Sequence, residues 1–188
     1  MIKKLVNKLF LKQYRKISSA SFREKKFVNY YQAKNILLIF ESNYTEKNTK
    51  TKEIVQTLTS EGKKVTAIGF VDKRQITSAI YPDYRVTYPG DYSCFKKPSK
   101  SLLEYLNQNE YDLLIDISKE KRIELDYLVL YSNAKCKAGL KKSELNIYDL
   151  EIDLSSYLEQ NETVIDDLEY SFLLNQILFY LKNIQTND

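Results

Sequence analysis

Residues 111–139, YDLLIDISKEKRIELDYLVLYSNAKCKAG, constrain the fold more than any other stretch of this chain. A short apolar run ends in Asp116 and Ser118, a helix-length segment covers 123–133, and a second short strand over 134–138 closes at Gly139. Strand, helix and strand in so short a stretch make a βαβ unit, whose crossover joins parallel strands. Parallel sheets need cover on both faces, so the rest of the chain must supply more strands and more helices.

It does so in alternation. Residues 35–40 (NILLIF) form an uninterrupted apolar run, the pattern of a strand buried on both faces. A helical pattern over 45–61 carries Ile54, Val55 and Leu58 inward and ends at Gly62, a residue suited to a C-cap. Strands are expected over 64–71, 85–87 at an edge, 111–117, 134–138 and 147–154, with helices over 99–109, 123–133 and 168–184. A short helix or turn is expected over 73–81, and Pro89, Gly90 and Asp91 mark a loop. The expected fold is α/β: a three-layer, Rossmann-like, mostly parallel sheet of five to six strands with right-handed connections.

The first 33 residues read differently. Ile2, Leu5, Val6, Leu9, Phe10 and Ile17 recur at helical spacing, with Lys3, Lys4, Lys8, Lys12, Arg15 and Lys16 mostly opposite. Ser21 is placed to cap a second helix through Tyr31. Residues 1–26 hold nine Lys/Arg against Glu24 alone, a net of +8, so a total of +4 leaves the remainder at −4. The expected organisation is a basic amphipathic helical extension over 1–33 and one α/β domain over 34–188. Three readings of the extension follow from this chemistry. It binds an anionic membrane surface through its cations and apolar stripe, it binds nucleic acid phosphates, or it docks that stripe on the body or a protein partner with its lysines solvated. Nucleic acid is the less expected partner, because the tyrosines are scattered rather than gathered with basic residues on one face.

Composition removes several chemistries. With no histidine, neither a Ser-His-Asp device nor a His-containing zinc site is available. Cys94 and Cys136 lie far apart without a CxxC partner, and are expected to be reduced, buried or half-buried thiols of a cytoplasmic protein. Only four Gly occur, and the turn after the first strand (ESNYTEKNTK) has none, so no phosphate-cradling loop is present. No apolar window is long enough to span a bilayer. No cofactor and no metal site is indicated.

What remains is the carboxyl edge of the sheet, where parallel folds bind ligands. The residues delivered there are Glu41 and Ser42 after the first strand, Asp72 after the second, and Asp116 and Ser118 after the fourth. Carboxylates so placed can act as bases, hold Mg²⁺ or accept from sugar hydroxyls. The simpler reading is that Asp116 and Ser118 cap the helix that follows. Lys135 and Lys137 are expected on a solvated side or near a strand start. Asp149, Glu151 and Asp153, at period two, read as charge protecting an edge strand.

The frame YDLLIDIS, an apolar helix, SNAKCKAG, IYDLEIDL and a terminal helix, together with NILLIF and KKVTAIGFVD, resembles an uncharacterised bacterial α/β domain family of unknown function over nearly the whole chain. A weaker resemblance runs to the N-terminal half of the heptosyltransferase-type glycosyltransferases, which share a YDLLID-like strand and an Ala-Lys strand ending in Gly. The half that binds the sugar nucleotide has no counterpart here, nor does that family's Gly-Asp element. The expected function is a non-enzymatic binding or interaction module, cytoplasmic or peripheral to an inner membrane. The alternative is a minimal transferase-like or hydrolase-like enzyme using Asp116, Ser118 and Glu41.

Overall fold

The computed structural model of the chain describes residues 2–20, 23–42, 46–72 and 84–184. Its centre is one sheet of six strands: β1 (Asn35–Glu41), β2 (Lys64–Phe70), β3 (Tyr84–Thr87), β4 (Leu113–Asp116), β5 (Cys136–Leu140) and β6 (Leu150–Ile152). They run in the order β3-β2-β1-β4-β5-β6, and every pairing is parallel. This is a Rossmann-like α/β fold, with its reversal of strand order between β1 and β4.

Alternation along the strands sorts the core into two layers. Ile36, Leu38 and Phe40 of β1 face α2 (Glu46–Ser60) and α6 (Tyr170–Asn183), meeting Ile54, Leu58, Leu173 and Ile177. Leu37 and Ile39 face the other way, onto Leu102 and Leu106 of α3 (Lys100–Leu106) and Leu125, Leu128 and Val129 of α4 (Ile123–Tyr131). β1 is buried from Ile36 onward because it is central and covered on both sides. Gly69 is required on β2 because the Phe40 ring fills the space a Cβ would take.

The basic segment forms α1 (Ile2–Ala20), which packs on α4 as an additional layer. Phe10 meets Tyr127 edge-to-face at 4.8 Å between ring centres, and Phe10 and Val6 are buried. Lys3, Lys4, Lys8, Lys12, Arg15 and Lys16 are exposed. The reason lies in α4, where residues Glu124 to Leu130 are all buried. Apart from Glu124 and Asp126 in its first turn, IELDYLVLY is apolar on every side, so it needs cover on its outer side as well as from the sheet, and α1 supplies it. Phe10→Ala is expected to cost about 3 kcal/mol, and deletion of residues 1–20 to lower the denaturation midpoint. An unchanged midpoint in urea melts would show instead that α1 is a detachable tether.

Several expectations need correction. No helix runs through Tyr31: residues 23–34 cross the body as extended chain and a turn, pinned by Lys26 N–H to Lys135 O (3.2 Å) and Tyr30 N–H to Leu181 O (3.1 Å). These long-range bonds replace those a second helix would have made. A short helix absent from the sequence reading, α5 (Ser155–Gln160), follows β6, its first turn tied to Asp153, which accepts from Ser155 N–H and Oγ–H. Cys94 is exposed rather than half-buried, whereas Cys136 is buried, and both are free thiols. Ser21, the turn at 43–45 and the segment 73–81 lie outside the described residues.

Candidate functional site

At the carboxyl edge the structure gathers the sequence candidates, though with one another. Asp116 and Ser118 are fully buried on the α4 side of the sheet. Asp116 Oδ1 accepts from Ser118 N–H (2.8 Å) and Ser118 Oγ–H (2.5 Å), an Asx-type turn. Its Oδ2 accepts from Lys142 Nζ (2.8 Å) and Tyr148 Oη–H (2.6 Å). Lys142 Nζ also donates to Ser118 Oγ at 2.7 Å. The expected capping role does not hold. The N-cap of α4 is Arg122, with no side-chain capping bond, because the chain takes four further residues from Ser118 before the helix starts.

Glu41 is buried, and its Oε1 accepts from Glu120 N–H (2.6 Å) while Oε2 accepts from Tyr170 Oη–H (3.3 Å). The crevice between β1 and β4, where a ligand would enter, thus receives the β4–α4 loop of the chain itself. Asp72 sits at the surface and pairs with Arg122 (2.8 Å), which also holds Glu120. Ser42 is buried beside Glu41, its N–H bonded to Phe70 O at 2.8 Å.

Three residues of this cluster escaped the sequence reading. Tyr148 lies flat over Gly139, where a Cβ would come within 2.6 Å of its ring, so Gly139 is there to seat the tyrosine. Lys142 follows β5 and breaks no local pattern that would mark it. Asp126, in the first turn of α4, is buried and has no hydrogen-bond or ion-pair partner among the described residues. Burial pushes its carboxyl up to about 6, with Asp116 adding to the shift and Lys142 opposing it.

The opposite edge holds a different feature. A cleft of about 570 Å3 opens between the C-terminal half of α1, the end of α4 and the amino ends of β5 and β6. Among the described residues, Lys16, Arg23, Lys25, Lys97 and Lys137 line it, against one carboxylate, Asp149. Asp149 is neutralised locally: Arg23 Nη2 donates to both of its oxygens at 2.5 Å, and Arg23 Nη1 donates to Lys135 O at 2.6 Å. The walls are aromatic and aliphatic, with Tyr14, Ile17, Leu130, Tyr131 and Ile147, and Lys97 Nζ stands 5.8 Å from the centre of the Tyr131 ring. Lys137, expected on a solvated side or near a strand start, does lie near the start of β5 but is buried on its α4 face. Its position was legible in principle: on CKAGL, buried throughout, every other side chain faces α4, and a lysine there is an anomaly. Lys135, by contrast, is partly exposed and pairs with Asp112 at 3.1 Å.

Of the six basic residues singled out on α1, only Lys16 reaches this cleft. Part of the apolar stripe lies inside the fold: Val6 and Phe10 are buried, Phe10 against Tyr127 of α4, while Leu5 stays exposed. No helix among the described residues is long and apolar enough to cross a membrane, and no described cluster of His, Cys, Asp or Glu has the form of a metal site.

A family model matches residues 3–184, which takes in α1 together with the whole α/β body. The chain belongs to DUF6913, a family of unknown function. No curated protein and no solved structure matches it. Membership in DUF6913 therefore agrees with the resemblance read from YDLLIDIS and SNAKCKAG and brings no activity with it.

Proposed function

We propose that this chain is a binding module that takes an anionic ligand in the basic cleft at the amino edge of the sheet. One observation carries the reading: Lys16, Arg23, Lys25 and Lys97, together with the buried amine of Lys137, converge on a single concave surface whose one carboxylate among the described residues is already held by Arg23. Like charges gathered around a cleft repel one another and raise its potential, and an anion relieves that cost. The aromatic and aliphatic walls favour a ligand with an apolar part beside its negative charge, and the volume of about 570 Å3 suits a small molecule. A cytoplasmic setting, as two free thiols suggest, belongs to the same reading.

The alternative, a minimal transferase-like or hydrolase-like enzyme at the carboxyl edge, is favoured by Asp126 alone, an unpartnered carboxyl whose raised pKa suits proton transfer. Against it, Asp116, Ser118 and Glu41 are already engaged by Lys142, Tyr148, Glu120 and Tyr170.

The test is calorimetric titration with pyrophosphate at low salt. Lys16 and Lys97 are exposed and replaceable without loss of core. The double variant Lys16→Glu/Lys97→Glu is expected to weaken binding by about tenfold or more, since each reversed charge costs roughly 1 kcal/mol. Thermal stability should be unchanged, and raising the salt should weaken the parent in the same direction. Full affinity in the double variant, or no binding by the parent, would remove the proposal.

A further inference from the structure

We infer that Lys137 couples anion binding in this cleft to the uptake of one proton, so that affinity for the ligand rises as pH falls. The inference rests on the reading of the cleft as an anion site, and supplies its regulation.

Lys137 is 3% exposed, on β5, with Cys136 and Ala138 turned to the opposite face of the sheet. Its Nζ donates to Val129 O (2.6 Å) and Leu130 O (3.4 Å), main-chain carbonyls near the C-terminus of α4. These are neutral acceptors, and no described carboxylate forms an ion pair with the amine. Asp149 is the described carboxylate that acts on the amine, but its oxygens are taken by Arg23 and by the Lys137 main-chain N–H (2.9 Å). A buried ammonium without a counter-charge is costly, and the usual response is to lose its proton.

The charged groups acting on Lys137 are Arg23 and Lys25, from the segment after α1, and Asp149, ahead of β6. Lys16 and Tyr14 of α1, Tyr131 of α4, Lys97 and Tyr148 complete the titratable lining of the same cleft. Desolvation is the largest influence and holds the amine down at about 7; Arg23 and Lys25 press in the same direction, and Asp149 opposes them in part.

An anion in the cleft adds the missing negative charge. It favours the ammonium, so the pKa of Lys137 rises on binding and a proton is taken up wherever the free amine is neutral. The sign follows by linkage. Below about pH 7 the amine is already charged and affinity is flat with pH; above it, affinity falls by up to about tenfold per pH unit until the pKa of the complex is passed. Amine and ammonium can both donate to the Val129 and Leu130 carbonyls, so the coupling requires no rearrangement of the fold.

Inorganic sulfate is the probe, because it carries no proton of its own near neutrality. Titration of the full chain with sulfate at pH 8, in two buffers of different ionisation enthalpy, is expected to give different observed heats, corresponding to roughly half to one proton taken up per sulfate. Lys137→Arg, charged throughout this range, and Lys137→Met, never charged, should each bind sulfate with the same heat in both buffers. Equal heats for the parent would overturn the coupling and leave the anion site standing. No binding of sulfate or pyrophosphate would overturn both, whereas equal proton uptake in Lys137→Arg would assign the proton elsewhere and reject Lys137. Should both variants fail to fold, the lysine Nζ signals of isotopically labelled parent decide the matter: an amine titrating near neutrality and shifting upward with sulfate supports the inference, and its absence rejects it.

Discussion

Asp116→Ala is expected to lower the free energy of unfolding by about 3–5 kcal/mol, the usual cost of removing one partner from a buried ion pair. Asp116 is fully buried and Lys142 nearly so, with side chains 0% and 7% exposed. Without the carboxylate, the Lys142 ammonium loses its ion-pair partner and keeps its hydrogen bonds to Ser118, and the Tyr148 hydroxyl is orphaned over Gly139. The penalty comes chiefly from these stranded groups rather than from the lost attraction, so it has a diagnostic companion. Asp116→Ala/Lys142→Met should recover a substantial part of the loss, because a methionine in the same volume leaves no charge unpaired. Urea melts of the parent, both single variants and the double variant measure this. A loss below about 1 kcal/mol for Asp116→Ala would mean that water reaches the site and that the carboxylate is free for a ligand.

Asp126→Asn is expected to act in the opposite direction and to depend on pH. Its carboxyl rises from an ordinary 3.8 to about 6 on folding, chiefly through burial. The folded state therefore holds the proton more tightly than the unfolded chain. The resulting stability is fully present below about pH 4 and is lost as pH rises through about 6. At pH 7 the ionised carboxylate costs on the order of 3 kcal/mol, which the neutral amide avoids. The variant should thus be more stable than the parent at pH 7, and the difference should shrink towards zero near pH 4. Denaturation midpoints across that range check it. A difference independent of pH, or a variant less stable at neutrality, would show that Asp126 gains a compensating partner when ionised. A stabilised variant would also fit a group kept for function, since active sites often hold charges that the fold alone would reject.

The candidate residues divide by how far their partners lie along the chain. Asp116 and Ser118 were visible because they close a local apolar run, and their mutual Asx turn is local too. Their principal partners, Lys142 and Tyr148, come 26 and 32 residues from Asp116, and neither breaks a local pattern. The basic cleft was less visible still, since Arg23 meets Asp149 across 126 residues. By its period-two spacing Asp149 reads as edge charge; in the fold it anchors the chain leaving α1. The docking of α1 has a local sign, the lack of a continuous polar face on IELDYLVLY, which requires cover on both sides.

By itself the sequence determined the α/β class, the parallel strands, their burial and most helix positions. Those features follow from short-range periodicity: a strand with period two, a helix with period 3.6, and a crossover that admits one hand. Only the tertiary structure decided that the strand order reverses between β1 and β4, that the crevice there is met by the chain's own loop, and that α1 lies on α4. It also decided that basic side chains from distant segments line one cleft at the amino edge. Long-range contacts are set by which surfaces can be buried together without stranding a charge or a polar group, and no local pattern encodes that joint condition.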